Sequence, residues 1–209
     1  MLNEIKNIKS LKLSHQFNLC GHLCGNYVND VLNGDSTFIQ YLVQCGFQRI
    51  QINATTSNGV DTSNLINQVK TLYNIIINTP EIEFILQKND ETLPLYNGLL
   101  KNDSLPVPFN LSILNDASMG SGIEITTFDR PLMNIPTGYA GGIGPSNIFN
   151  VLNAIHLSLP KEKNIPVWID MESSIRRIEN DGHDIFDLDK CNECIQQYIK
   201  VLTGIQSGE

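Results

Sequence analysis

The chain has 209 residues, of which 41% are hydrophobic, and a formal charge of −8 from 22 acidic and 14 basic residues. Its size suits one domain with a hydrophobic core, whereas its acidity, with no basic run longer than Arg176-Arg177, argues against a nucleic-acid-binding protein. No 18-residue apolar run is present, so we expect no membrane-spanning helix. Five cysteines without a signal-peptide core at residues 1–6 predict reduced thiols and a cytoplasmic protein.

Six short apolar segments, taken in chain order, are predicted to be strands. Their starts lie about 25–35 residues apart, which is the length of one strand–helix unit with its connection. Several are apolar at consecutive positions, as is typical of strands covered on both faces. The predicted strands are residues 17–22, 48–53, 82–87, 111–116, 137–141 and 167–170.

Helical patterns lie between these strands. Asp61-Thr62-Ser63 precedes a 3.6-residue apolar period and predicts a capped helix start. Residues 1–13 are interpreted as a further helix within an N-terminal lead-in, residues 1–16. The predicted helices are residues 26–32, 36–43, 63–76, 93–100, 147–157 and 189–202.

Polar residues fall at the carboxyl ends of all six predicted strands. In a closed (β/α)8 barrel these ends converge on one mouth, where active sites lie, whereas an open sheet uses only the ends near its switch point. The pattern therefore favours an α/β fold of the TIM-barrel type, formed as a single domain with its strand–helix units in residues 17–200. The polar residues are Cys20, His22, Gln51, Asn53, Gln87, Asp116, Gly141, Gly142, Asp170 and Glu172.

Three segments in the second half of the chain carry a family resemblance: NLSILNDASMGSG at residues 110–122, residues 138–151, and VWIDMESSIRR at residues 167–177. In this order they resemble the sixth-strand segment, the seventh-strand phosphate loop and the eighth-strand segment of phosphoribosylanthranilate isomerase. That family is a TIM barrel of the phosphate-binding superfamily and acts in tryptophan biosynthesis. Ile50-Gln51-Ile52-Asn53 is similar to the fourth strand, although Asn53-Ala54 replaces the usual His-Gly. The resemblance implies a divergent member of the family.

On this resemblance the chain supplies six of the eight strands that a closed barrel needs. Cys20 and Gln51 are only about 30 residues apart, which leaves room for one strand–helix unit. Cys20 therefore belongs on the third strand, and not on the first, which carries the family's cysteine base. Six strands leave two open edges. Another chain or a second copy covers the gap, the molecule is a fragment, or residues 1–16 contribute to the barrel.

Asp116 corresponds to the sixth-strand Asp that the resemblance implies as general acid. Burial at a strand end disfavours the charged form of a carboxyl, which suits proton donation near neutral pH. The alternative is that Asp116 caps the glycine-rich turn that follows, at residues 120–122. The catalytic base is not identified by the sequence. Cys20 and His22 are the candidates, because a cysteine beside a histidine can form an activated thiolate.

Gly141-Gly142 and Ser173-Ser174 predict an anion site in the loops after the last two strands, where barrel phosphate sites lie. Paired glycines expose backbone N–H groups, and the helix N-terminus behind them adds partial positive charge. Tight turns without a ligand are the alternative. Ser174 stands where the family has a glycine, and Glu172 places a negative charge nearby.

Five further residues are predicted to line the ligand. Gln51, Asn53 and Gln87 offer neutral amide groups to a polar ligand. Asp170 holds a ribose hydroxyl or orients Arg176, and a structural hydrogen bond is the alternative role for this carboxylate.

No metal ion and no cofactor are expected from the cysteine pattern. The spacing of Cys20 and Cys24 is not a strong zinc spacing, and Cys191 and Cys194 are predicted on a helix outside the barrel. Together with Cys45, the latter two are interpreted as buried inert thiols.

Three functions remain open at this point. The first is an enzyme that binds a phosphorylated sugar derivative and catalyses an Amadori-type aldose–ketose isomerisation, which needs one proton donor and one proton acceptor. The second is a catalytically inactive barrel that binds phosphorylated metabolites. The third is an interaction subunit that completes its sheet with a partner or a second copy.

Overall fold

The computed structural model of the chain describes residues 18–102, 104–116, 128–160 and 166–207, with the side chains of residues 202–207 left out. The chain divides into two compact units, unit 1 and unit 2, at the boundary between Leu114 and Asn115. The predicted lead-in at residues 1–16 and the glycine-rich turn at residues 120–122 lie outside the described residues.

Unit 1 alternates short strands with helices. Because each strand is followed by a helical crossover, successive strands return to the sheet in the same direction. A single turn of 3-10 helix, Thr56–Asn58, precedes the third helix. The elements are β1 (Cys20–Leu23), α1 (Asn26–Leu32), α2 (Thr37–Gln44), β2 (Arg49–Ile52), α3 (Leu65–Ile77), β3 (Glu83–Lys88), α4 (Leu93–Leu100) and β4 (Leu111–Asn115).

The strand register of unit 1 is parallel. β1 pairs with β2 so that His22 lies opposite Gln51, and β2 pairs with β3 so that Gln51 lies opposite Ile85. The N–H group of Phe84 donates to the carbonyl of Asn110, at 2.8 Å, where β4 begins. The strands of unit 1 therefore have their carboxyl ends at the same edge of the sheet.

The core of unit 1 forms between the sheet and its helices. Ile50 and Phe84 are fully buried in the central strands, and Leu65, Val69 and Leu72 recur at helical spacing on α3 and are buried as well. α4 approaches α3 closely at Gly98, where an added Cβ would lie 2.5 Å from the side chain of Val69. A glycine at this position lets the two helices pack.

Unit 2 carries two further parallel strands, a small hairpin and two helices. β5 and β6 pair in parallel with Gly138 opposite Trp168, whose indole lies over the glycine. Within unit 2, the N–H group of Ala140, directly after β5, donates to the carbonyl of Asn115 at 2.9 Å. The elements are β5 (Thr137–Tyr139), α5 (Ile148–Ser158), β6 (Val167–Ile169), a 3-10 turn (Ser173–Ile175), β7 (Arg176–Ile178), β8 (Asp184–Phe186) and α6 (Leu188–Ser207).

The predicted α/β fold is confirmed, since parallel strands alternate with helices in each of the two units. Closure into a (β/α)8 barrel stays a prediction. Within the described residues, none of the helices combines the length and apolar composition that crossing a bilayer requires.

Two segments differ from the prediction. The first strand begins at Cys20 and ends at Leu23, where the sequence predicted residues 17–22, so Cys20 starts the strand and does not end it. β7 and β8 form an antiparallel hairpin that the sequence did not predict. His183 lies in the turn of this hairpin and is exposed.

Candidate functional site

Backbone hydrogen bonds of unit 2 bring four of the predicted site residues close together. Asp116 is buried. The N–H group of Ala140 donates to the carbonyl of Asn115 at 2.9 Å, and the N–H group of Asp170 donates to the carbonyl of Tyr139, also at 2.9 Å. Asp116 and Asp170 therefore lie on either side of the end of β5, which the diglycine loop, Gly141-Gly142, follows.

The diglycine loop has a backbone that only glycine adopts readily. Gly141 has a φ of 121° and Gly142 a φ of 59°, both in the left-handed half of backbone space. Asn147 fixes the loop, because its Oδ1 accepts from the N–H of Gly144 at 2.9 Å and its Nδ2 donates to the carbonyl of Gly142 at 3.0 Å. Within the described residues, no hydrogen bond engages the N–H groups of Gly141, Gly142 or Ile143.

The loops that follow β5 and β6 touch each other. A Cβ added to Gly144 would lie 2.5 Å from the Cβ of Ser174, so this contact requires glycine. Ser173 and Ser174 begin the 3-10 turn after β6, with Ser173 exposed and Ser174 half-buried. The structure thus brings the diglycine loop next to the second predicted anion loop.

Arg176 is held in the hairpin. Its Nε lies 3.0 Å from both carboxylate oxygens of Asp184, and its Nη2 donates to the Asp184 carbonyl at 3.0 Å. Arg177 lies 3.4 Å from Glu179 and 3.5 Å from Asp187, and the bond to Glu179 raises the pKa of its guanidinium. Arg176 and Arg177, which follow Glu172 closely in the sequence, therefore form ion pairs with carboxylates other than that of Glu172.

Asp187 organises the start of α6. Its Oδ1 accepts from the backbone N–H groups of Asp189 at 3.0 Å and Lys190 at 3.2 Å. The bond from Lys190 is the main reason that the pKa of the Asp187 carboxyl is lowered; the bond from Asp189 and the charge of Arg177 act in the same direction, against the cost of burial. This carboxylate caps a helix, which is a structural role.

At the corresponding edge of unit 1, polar side chains bond to one another. Gln51 Nε2 lies 2.6 Å from Nε2 of the exposed His22 and donates to Asn53 Oδ1 at 2.8 Å. Asn53 Nδ2 donates to the sulfur of Cys24 at 3.5 Å, and that thiol donates to Asn58 Oδ1, also at 3.5 Å. Gln51 and Asn53 are buried, so the chain of bonds satisfies amides that water does not reach.

The loops of unit 1 are tied together around this chain. Gly25, after β1, donates its N–H to the carbonyl of Asn58 at 2.7 Å. Glu91, after β3, accepts from the N–H of Thr56 at 2.8 Å and from its hydroxyl at 3.1 Å. Gln87, predicted to line the ligand, is buried at the end of β3, and its carbonyl accepts from the hydroxyl of Thr92 at 2.7 Å.

Cys20 lies at the amino end of β1. It is opposite Arg49, the first residue of β2, which pairs with Glu83 at 2.8 Å. Burial raises the pKa of the Glu83 carboxyl, but the bonds from Arg49 and Ser112 and the Arg49 charge together lower it. Cys20 was predicted at the carboxyl end of its strand, where the active sites of barrels lie. That prediction is wrong, because Cys20 is the first residue of β1.

The cysteines of the chain are all free thiols. Burial raises the pKa of the Cys194 thiol, which is buried, and of the Cys191 thiol, which is half-buried, so the thiolate is disfavoured at both positions. Among the described residues, no group of three or more His, Cys, Asp or Glu side chains could hold a metal ion.

Sequence reasoning missed Asn147, Cys24 and Asn58. Asn147 had a signal, since it is the first residue of the helix predicted at residues 147–157, and Asn at a helix start is typical of an N-cap. Its side chain bonds back into the loop and makes no side-chain cap bond to the helix. Cys24 and Asn58 had no comparable signal, because their bond joins loops 34 residues apart.

Comparison with known proteins finds no family model, no curated protein and no solved structure that matches this chain.

Proposed function

We propose that the chain binds a phosphorylated sugar derivative in unit 2, at Asp116 and the loops that follow β5 and β6. The observation that carries this proposal is the contact between Gly144 and Ser174, which joins the loops that the sequence predicted as two halves of an anion site. The N–H groups of Gly141 and Gly142, in the loop between β5 and α5, offer donors to a phosphate.

The proposed reaction is an Amadori-type aldose–ketose isomerisation, as the resemblance to phosphoribosylanthranilate isomerase implies. Asp116 acts as the general acid in this proposal, and its burial directly after β4 supports the assignment. Asp170, at the neighbouring strand end, accepts from a ribose hydroxyl. No catalytic base is assigned among the described residues of unit 2.

A catalytically inactive binding protein is the second candidate function. It is favoured by the place of Cys20 at the amino end of β1, opposite Arg49, because the active sites of barrels lie at the carboxyl ends of their strands. In this alternative the anion loops of unit 2 bind a phosphorylated metabolite without turnover.

The binding proposal is tested by thermal unfolding with ribose 5-phosphate and with unphosphorylated ribose. Binding to the native state alone raises stability by about 2.7 kcal/mol at a ligand concentration of 100 Kd. We expect stabilisation by ribose 5-phosphate and none by ribose. An equal effect of the two sugars, or none from either, contradicts a phosphate site.

Gly142→Asn and Gly142→Asp form a matched pair for the loop. Both variants place a side chain at a φ of 59°, which Asn and Asp tolerate better than other residues, but only the second adds a negative charge. We expect Gly142→Asp to abolish stabilisation by ribose 5-phosphate and Gly142→Asn to weaken it less. Gly182→Asp, in the hairpin turn with open space around its Cβ, controls for backbone strain.

Catalysis is tested separately, by turnover of phosphoribosylanthranilate. Wild-type turnover that falls by a factor of about 100 or more in Asp116→Asn supports the general acid. Turnover that Asp116→Asn leaves unchanged removes Asp116 from the mechanism. Binding of ribose 5-phosphate without turnover leaves the inactive binding protein as the function.

A further inference from the structure

A cavity of about 440 Å³ lies within unit 2 on the helix-covered face of β6. Val167 and Ile169 form its floor, and α5 and α6 form its walls. Small-molecule sites fall between about 300 and 1,000 Å³, and close-packed interiors contain few voids larger than one water molecule. The opening is therefore of the size of a ligand site and not of a packing defect.

The walls of the cavity are apolar stripes on the two helices. Ile148, Leu152 and Ile155 recur along one face of α5, and Cys194 and Val201 face them from α6. Spacings of three, four and seven residues keep such side chains on one side of a helix. Ile148, Ile155 and Cys194 are also part of the buried core of the unit, so the cavity has a firm base.

Polar groups are few and lie toward the rim. His156 is exposed, and Tyr198 is 45% exposed, and both line the opening. Among the described residues that line the cavity, none is Lys, Arg, Asp or Glu. A charged ligand would lose its hydration here without gaining a partner of opposite charge, and the formal charge of −8 disfavours anions in addition.

We propose that this cavity binds a neutral, apolar small molecule that carries a single hydroxyl or carbonyl group. Its hydrocarbon or ring part contacts Leu152, Ile155 and Val167, and its polar group bonds to His156 or Tyr198 at the rim. The site is distinct from the proposed phosphate site, because it lies on the side of the sheet covered by α5 and α6.

The test is a fluorescence titration of the full chain with Nile red, a neutral apolar dye. We expect saturable binding that Leu152→Trp weakens by about tenfold or more, since the indole fills the cavity from α5. Leu157→Trp adds the same side chain on the same helix at a position that is 83% exposed and outside the lining. This control variant should bind the dye like the wild type.

Four results would overturn the proposal. The first is that wild type shows no saturable binding of Nile red, and the second is that Leu152→Trp and Leu157→Trp bind the dye equally well. The third is that wild type binds the anionic dye anilinonaphthalene sulfonate more tightly than Nile red. The fourth is that Nile red binding is lost when the protein concentration is raised and the chain self-associates. If circular dichroism shows that Leu152→Trp is unfolded, Ile195→Trp, at the half-exposed rim, replaces it. Adding ribose 5-phosphate should not displace Nile red, because the two ligands are proposed to bind at different sites. This competition experiment separates the test of the cavity from the test of the phosphate site.

Discussion

The polar groups at the strand ends differ between the two units in whether they have hydrogen-bond partners among the described residues. In unit 1, Gln51 and Asn53 bond to each other and onward to Cys24, so the buried amides find partners within the protein. In unit 2, Gly141 and Gly142 hold N–H groups that no described residue engages. A network in which the polar groups bond to one another makes that part of the structure rigid. Backbone N–H groups that are not engaged in this way can donate to an anionic ligand.

Breaking the network of unit 1 should have the largest effect on stability. Asn53→Ala removes the oxygen that accepts from the buried side-chain amide of Gln51. We therefore expect a loss of about 2–3 kcal/mol in the free energy of unfolding. Urea titration measures this change. Asn97→Ala, at an exposed position on α4, is the control and should change stability by less than about 0.5 kcal/mol. Equal losses in both variants would contradict the role of the network.

The contact between the two anion loops of unit 2 can be broken and restored. Gly144→Ala drives a methyl group into Ser174, and such overpacking costs about 1–3 kcal/mol. Ser174→Gly removes the atoms that the methyl group meets, so the double variant should recover most of the loss. A double-mutant cycle from urea titrations measures the coupling, and additive losses would show that the loops do not touch.

Asn147 is the residue that holds the diglycine loop in shape. Asn147→Ala removes the hydrogen bond that Asn147 Oδ1 accepts from the N–H of Gly144 and the one that its Nδ2 donates to the carbonyl of Gly142. We expect the free energy of unfolding to fall by about 1–2 kcal/mol. Asn150→Ala, exposed on α5, is the matched control. If the loop is the phosphate site, Asn147→Ala also weakens stabilisation by ribose 5-phosphate, which thermal unfolding detects.

Asp187 gives unit 2 a small dependence of stability on pH. Its pKa is lowered by the bond from Lys190, so the folded state favours the carboxylate more than the unfolded chain does. The resulting stabilisation is present above the unfolded pKa of about 3.9 and is lost as the pH falls through the lower folded pKa. The Tm of wild type should therefore exceed that of Asp187→Asn at pH 7, with the difference shrinking below about pH 4. A constant difference would contradict a role of the charge.

Local pattern predicted most elements of both units. The predicted bounds of α1 and α4 coincide with the observed Asn26–Leu32 and Leu93–Leu100. The first strand was placed too early because Leu19 looks like a strand residue. In the structure its N–H donates to the side chain of Gln48 at 2.8 Å, a bond that no local pattern predicts. The hairpin of β7 and β8 was missed because strands of three residues give too short an alternating pattern.

The candidate site could be predicted only where it follows strand ends. Asp116 and the diglycine loop each come directly after an apolar segment. The strand pattern therefore predicted that they lie at the carboxyl ends of strands. The pairing of His22 with Gln51 depends on the register of two strands 29 residues apart. The bonds of Arg176 depend on a hairpin partner, Asp184, that the sequence did not place.

Trp168 gives the molecule a built-in optical reporter. It is the only tryptophan of the chain, and its indole rests on Gly138 across the β5–β6 pair. Intrinsic emission excited at the indole band will therefore follow the packing of unit 2, while far-ultraviolet circular dichroism follows the helices of both units. Superimposable denaturation curves from the two signals would mean that the chain melts as one cooperative block, and separated curves would reveal a stepwise process.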